Sequence, residues 1–255
     1  MPTIEDNYYV FHKVYDWARA GDEWSDAWGS TERAWKVTVE PRIGRFLDCG
    51  TVLEIAPGFG RWTQFLVGRC ERLIGVDLSP RCVEACRSRF AGAKHARFLV
   101  NDGTSLEGVD GASVDFAFSF DSLVHADPPV LRAYLGELAR TLKPGAHAFL
   151  HHSNLGEYRD TLPAEIESSE HWRSRTMTAE AFRGFCLEAG LDCVDQELVN
   201  WGGTARLPDC FSTVAEPDGG GAAAECRVRV HARFMEDEVN EPALQEAAKG
   251  CDNKG

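Results

Sequence analysis

Residues 52–66 read VLEIAPGFGRWTQFL. Apolar Val52, Leu53 and Ile55 run into Ala56-Pro57-Gly58-Phe59-Gly60, and a helical pattern with Trp62, Phe65 and Leu66 follows at once. An apolar run, a glycine-bearing turn and a change to helical period mark a buried strand feeding a helix. Outward from this unit the alternation repeats. Strands are expected near 51–56, 72–77, 97–101, 114–120 and 146–152, with helical patterns between them, notably SPRCVEACRSRF and PPVLRAYLGELARTLKPG. In the second, Leu131, Leu135, Leu138 and Leu142 fall near helical period and Pro144-Gly145 stops the run. Such alternation predicts an α/β, Rossmann-like parallel sheet covered on both faces.

The C-terminal part predicts a helix near 178–189 and two strands near 192–201 and 209–215, able to pair antiparallel. EPDGGGAAAE (216–225) reads as a flexible insert, CRVRVHARF (226–234) as an extra edge strand, and the acidic stretch from Met235 onward as a loose tail. Residues 1–49 hold four of the seven tryptophans and read as two or three helices broken near Gly21 and Gly29. This divides the chain into an N-terminal helical segment (1–49), an α/β domain (50–216) and a tail region (217–255).

With 255 residues, a large core is possible. No apolar run approaches membrane-spanning length, and Met1-Pro2-Thr3-Ile4-Glu5 lacks a basic start and an apolar stretch, so a cytoplasmic protein without membrane contact is expected. The net charge of −13 and the lack of a basic stripe disfavour a nucleic-acid partner. The nine cysteines are scattered without a CxxC pair and are expected to be reduced and mostly buried.

The turn alone is weak evidence for a ligand. A dinucleotide fingerprint starting at Gly58 would want glycine where Thr63 stands. The acids are more informative. Glu54 lies in the first strand, Asp77 ends the second, 17 residues after Gly60, and Asp102 follows the third. All three approach the carboxyl edge of a parallel sheet, where ligands bind. Asp77 suits a ribose diol, Asp102 an adenine amino group, and Glu54 an ammonium-bearing ligand. A pyrophosphate would be repelled by this acidity, whereas S-adenosylmethionine, a sulfonium amino acid joined to adenosine, would not.

The order LEIAPGFG, IGVDLS, NDG, VDFAFSFDSLVH and LKPG resembles the class I S-adenosylmethionine-dependent methyltransferases over about residues 50–215. Ala56 departs from the family's usual first glycine. TVEPRIGRFL, FDSLVHAD and HHSNLGEY are similar to antibiotic-pathway sugar O-methyltransferases. The resemblance implies a seven-stranded, mostly parallel sheet with an antiparallel last strand and an N-terminal helical lid. It implies S-adenosylmethionine held by Glu54, Ala56, Pro57, Gly58, Gly60, Asp77, Leu78, Asp102, Gly103 and Phe120. It implies a small-molecule acceptor, a deoxysugar or sugar nucleotide such as TDP-rhamnose, and leaves room for a homo-oligomer.

A sugar hydroxyl needs a base, a metal or both. Asp121 and His125 lie four apart after the fourth strand, placing both on one face of a short helix. His125 is the candidate base. His151 and His152 end the fifth strand, and strand alternation sends them to opposite faces. By resemblance, a divalent metal could bridge Asp121 and His152, or His151. Trp24, Trp28 and Trp35 are lid candidates, and Arg42, Arg45 or Arg61 could meet a nucleotide diphosphate.

Overall fold

A computed structural model of the chain describes residues 3–162, 173–202, 205–219 and 225–240. The α/β domain is one eight-stranded sheet. Its strands are β1 Cys49–Ile55, β2 Cys70–Asp77, β3 Ala96–Val100, β4 Val114–Ser119, β5 Leu142–Ser153, β6 Asp192–Val199, β7 Asp209–Ala215 and β8 Arg227–His231. The spatial order is β3-β2-β1-β4-β5-β7-β6-β8. β1 pairs in parallel with β2 and β4, and β7 is antiparallel to both β5 and β6. The expected seven strands are therefore one too few: Arg227–His231 pairs in parallel with β6 as an edge strand. Its arginines explain its attachment, since Arg227 and Arg229 both bond to Asp195 of β6.

Helices cover both faces: α1 Ile4–Tyr8, α2 Thr31–Ala34, α3 Glu40–Ile43, α4 Thr63–Leu66, α5 Pro80–Arg89, α6 Pro128–Thr141 and α7 Ala179–Ala189. Strand alternation splits the core in two. Leu53 and Ile55 of β1 pack with Leu131, Leu135 and Leu138 of α6 and Phe182 of α7. Val52 faces the other side with Trp35, Ile43, Leu66 and Phe116. Glu54 shares that second side, a carboxyl buried in a mostly apolar layer.

The N-terminal segment is broken where expected, at Gly21 and Gly29, both at positive φ. Three helical pieces result, as expected, built of α, π and 3-10 turns, the longest running from Thr31 to Phe46. A π-turn (Tyr9–Val14) continues α1, and a 3-10 stretch spans Asp22–Trp28. The tail begins differently from the expected loose chain. Met235–Asn240 forms a π-helical turn, Phe234 and Val239 are fully buried, and Glu238 bonds to Arg42. These two apolar side chains anchor the turn; residues 241–255, and 220–224 of the expected flexible insert, lie outside the described residues. The eight described cysteines are free thiols, five of them buried. Cys82 and Cys86 share the buried face of α5.

Candidate functional site

The carboxyl ends of β1, β2 and β4 open into one cleft. Ala56, Pro57 and Gly58 form its floor after β1, Asp77 and Leu78 after β2, Gly103 after β3, and Phe120 and Asp121 after β4. The turn is shaped by backbone geometry. Ala56 takes φ +57 and Gly58 φ +58, a region that side chains disfavour. Ala56 is held there from both sides: its N–H donates to Val76 O at 2.7 Å, and Ser122 Oγ donates to its carbonyl at 3.0 Å. Glycine at 58 is needed for space as well, because a Cβ there would stand 2.9 Å from the Trp17 ring.

Asp77 is the fixed carboxylate of the floor. Its Oδ1 accepts from Ser79 N at 2.8 Å and its Oδ2 from Gly58 N at 3.0 Å. Burial pushes its pKa up to about 6, against the lowering effect of those two N–H groups. A carboxylate oxygen has more than one acceptor direction, so Asp77 can still receive hydroxyl donors from a ligand.

Three residues expected to hold the cofactor do not line the cleft. Glu54 is buried behind the turn, where it accepts from Thr63 Oγ1 at 2.6 Å, and burial raises its pKa to about 8. Thr63, standing where a dinucleotide fold would have its third glycine, is thus the partner of that buried acid. Gly60 serves packing, since a Cβ on it would lie 2.5 Å from Phe90. Asp102 turns onto its own loop. Thr104 N and Ser105 N donate to its Oδ1, and these backbone bonds lower its pKa to about 2. Its neighbour Gly103 lines the cleft instead.

Asp121 and His125 both line the cleft, with His125 ending a 3-10 turn at Leu123–His125. Asp121 Oδ2 accepts from Arg61 at 2.8 Å, and the Arg61 guanidinium lies 4.4 Å over the Trp62 ring. Asp121 is therefore already neutralised by a side chain 6% exposed.

His152 is not in the site. It points to the opposite face of β5, wholly buried, stacked on Phe182 at 4.1 Å, with Nε2 bonded to Ser212 Oγ at 2.8 Å. Burial lowers its pKa to about 4. Neither a catalytic role nor a metal bridge from His152 to Asp121 fits this placement, because the two face different sides of the sheet. His151, its neighbour, faces Asp121: the Asp121 N–H donates to His151 Nδ1 at 3.1 Å.

The N-terminal segment roofs the cleft, with a different membership from the one expected. Tyr8, Phe11, Trp17 and Trp24 line it. Trp28 and Trp35 do not. Trp28 donates to Thr38 Oγ1 and packs against Trp201, and Trp35 stacks on Phe65 at 4.8 Å. Of the arginines, only Arg61 reaches the cleft. Arg42 is bonded to Glu197 and Glu238, and Arg45 lies over Phe46. Of the roof, only Trp24 was expected from sequence; Tyr8, Phe11 and Trp17 were not singled out. Nothing in sequence distinguished its members from core aromatics.

Glu197, His231 and Glu238 converge closely enough for a metal. Arg42 already occupies both carboxylates, and Arg229 reaches Glu197 at 3.2 Å, so the cluster is an ion-pair network. No described helix is long and apolar enough to cross a membrane.

Residues 52–145 match the family model of the methyltransferase domain. The chain is 35% identical over 65 residues to an rRNA adenine N-6-methyltransferase of Streptomyces fradiae, covering 26% of this chain and 20% of that protein. It is 30% identical over 105 residues to phosphoethanolamine N-methyltransferase 1 of Triticum aestivum, covering 40% and 21%. The chain thus spans about a fifth of the length of these curated relatives. Among solved structures, an S-adenosylmethionine-dependent methyltransferase from Clostridium acetobutylicum ATCC 824 superposes with a TM-score of 0.60 at 14% identity, over 78% of this chain and 97% of that one. The chain carries the Rossmann-like class I methyltransferase fold.

Proposed function

We propose that this chain transfers a methyl group from S-adenosylmethionine to a hydroxyl of a small acceptor, a deoxysugar that is free or nucleotide-linked, in natural-product biosynthesis. The observation that carries the reading is the cleft roofed by the N-terminal segment and lined by the fixed Asp77 carboxylate together with Asp121 and His125. Asp77 suits the ribose hydroxyls, Gly58 and Gly103 give close backbone approach, and Leu78 and Phe120 offer apolar faces to a flat base. The sugar as acceptor rests on the sequence resemblance.

When bound, the cofactor supplies a methyl group made electrophilic by its sulfonium. The chain's own residues do the remaining work. His125 accepts the proton leaving the acceptor hydroxyl on a ring nitrogen. Asp121, held by Arg61, orients the acceptor. Tyr8, Phe11, Trp17 and Trp24 exclude water. No metal bridge between strands four and five enters this mechanism: His152 lies on the other face, and His151 accepts the Asp121 N–H at Nδ1 and turns Nε2 to Asp209.

The test is incubation with methyl-labelled cofactor and a panel of nucleotide sugars including TDP-rhamnose. Label should appear in a sugar ether. His125→Ala should lower kcat by about 10²–10⁴-fold with cofactor affinity intact. A loss below tenfold on both sides of neutral pH would give His125 a packing role, and label in nitrogen or carbon would overturn the hydroxyl acceptor.

A further inference from the structure

The end of β5 meets the start of β7 in a buried charged network that the mechanism above does not use. Asp209, the first residue of β7, is fully buried, and Arg173 grips it with Nε at 2.6 Å and a terminal nitrogen at 2.9 Å. Burial opposes ionisation, yet Arg173 and the neighbouring His151 hold the Asp209 carboxyl well below its ordinary range. His151 is also fully buried, among Phe120, Trp201 and Phe211. Its Nε2 faces Asp209 Oδ2 at 3.1 Å, too oblique for a full hydrogen bond.

The other ring nitrogen fixes the chemistry. The Asp121 backbone N–H donates to His151 Nδ1, so Nδ1 is an acceptor and carries no proton. The ring proton then sits on Nε2, toward the ionised Asp209. Asp121 is where this matters, because it takes φ +61, a conformation costly for a residue with a side chain. Its carboxylate reaches Arg61 and the cleft from that unusual backbone. Strained residues persist only when their surroundings hold them.

We infer that His151 is a positioning residue: with its tautomer set by the Arg173–Asp209 pair, it clamps the Asp121 backbone so that the Asp121 carboxylate stays aimed at Arg61 and the acceptor. The inference rests on the methyl-transfer reading of the cleft. It never touches substrate; it acts through Asp121, where a misplacement of about 1 Å can cost about 10²-fold in rate.

The test separates the two ring nitrogens. In His151→Asn the amide oxygen replaces the Nδ1 acceptor, and the contact with Asp209 is lost. In His151→Gln the longer side chain reaches Asp209, and the acceptor for Asp121 is lost. The clamp predicts that kcat falls about 10–100-fold in H151Q but less than about threefold in H151N, with cofactor Kd within about twofold in both. Equal losses in the two variants, or a loss confined to KM or Kd, would overturn it. Nitrogen NMR on the unaltered protein covers the case in which the variants do not fold: His151 should show the Nε2–H tautomer with an unprotonated Nδ1, and an Nδ1–H tautomer or an imidazolium at neutral pH would overturn the clamp. If the unaltered protein binds no S-adenosylmethionine and transfers no methyl group, the methyl-transfer reading has failed, while the tautomer measurement still decides whether His151 holds Asp121.

Discussion

Asp77 and Glu54 are two buried carboxyls some twenty residues apart in sequence, and their surroundings give them different work. Asp77 faces the cleft. Asp77→Ala should weaken cofactor affinity about tenfold or more, since charge-assisted hydrogen bonds contribute roughly 1.5–3 kcal/mol. With a pKa near 6, its charge is lost on acidification, so affinity in the unaltered protein should also fall below about pH 6. Calorimetric titrations across pH would reveal this, and unchanged affinity in the folded variant would remove Asp77 from the ribose. Glu54 faces the core. Its pKa is raised to about 8 in the fold, so the folded state holds a proton that the unfolded chain releases near pH 4.5. The stability this gives is complete below about pH 4.5 and is lost as pH rises through about 8, at up to ~1.4 kcal/mol per pH unit. Glu54→Gln keeps the shape without the titration. Urea midpoints should then decline less between pH 5 and 8 than in the unaltered protein; parallel declines would mean that Glu54 stays ionised.

At the scale of elements, the roof over the cleft is held by aromatic stacking. Trp17 stacks on Phe59 at 4.6 Å, nearly parallel, and His12 Nδ1 lies 3.0 Å from Ser79 Oγ at the head of α5. Trp17→Ala should loosen this cover and speed cofactor release about tenfold, measurable by stopped-flow fluorescence; an unchanged release rate would make the roof a static wall. The strands themselves were legible from sequence. The run at 209–215 matches β7, and the helix expected near 178–189 is α7, because buried strands and amphipathic helices write their period directly into the chain. Roles within elements were less legible. His151 and His152 differ only by which face of β5 they take, and that face is set by register with β7, a partner 60 residues away. Trp28 and Trp17 read alike, yet one packs in the core and the other roofs the site. Asp102 follows its strand as expected, but nearby N–H groups on Thr104 and Ser105 capture its carboxylate.

For the molecule as a whole, charge narrows the acceptor. Two short matches are to proteins named for ribosomal RNA, yet this chain has a net charge of −13. Nucleic-acid binding depends on basic side chains that displace counterions. The protein should leave structured RNA unretarded in gel-shift assays at micromolar concentration and 0.15 M salt. A tight complex that weakens steeply with salt would overturn the small-molecule reading.

The contact between Gly58 and Trp17 carries a consequence for how this site can change over generations. A methyl group at 58 would come within 2.9 Å of the Trp17 ring, although the two positions are about forty residues apart and one belongs to the floor, the other to the roof. Position 58 cannot drift while the ring stands. A descendant that acquires a side chain at 58 must first have lost bulk at 17, and in losing it must have given up the stack on Phe59. Among natural variants of this protein, a tryptophan at 17 should therefore travel with a glycine at 58, as a pair inherited together.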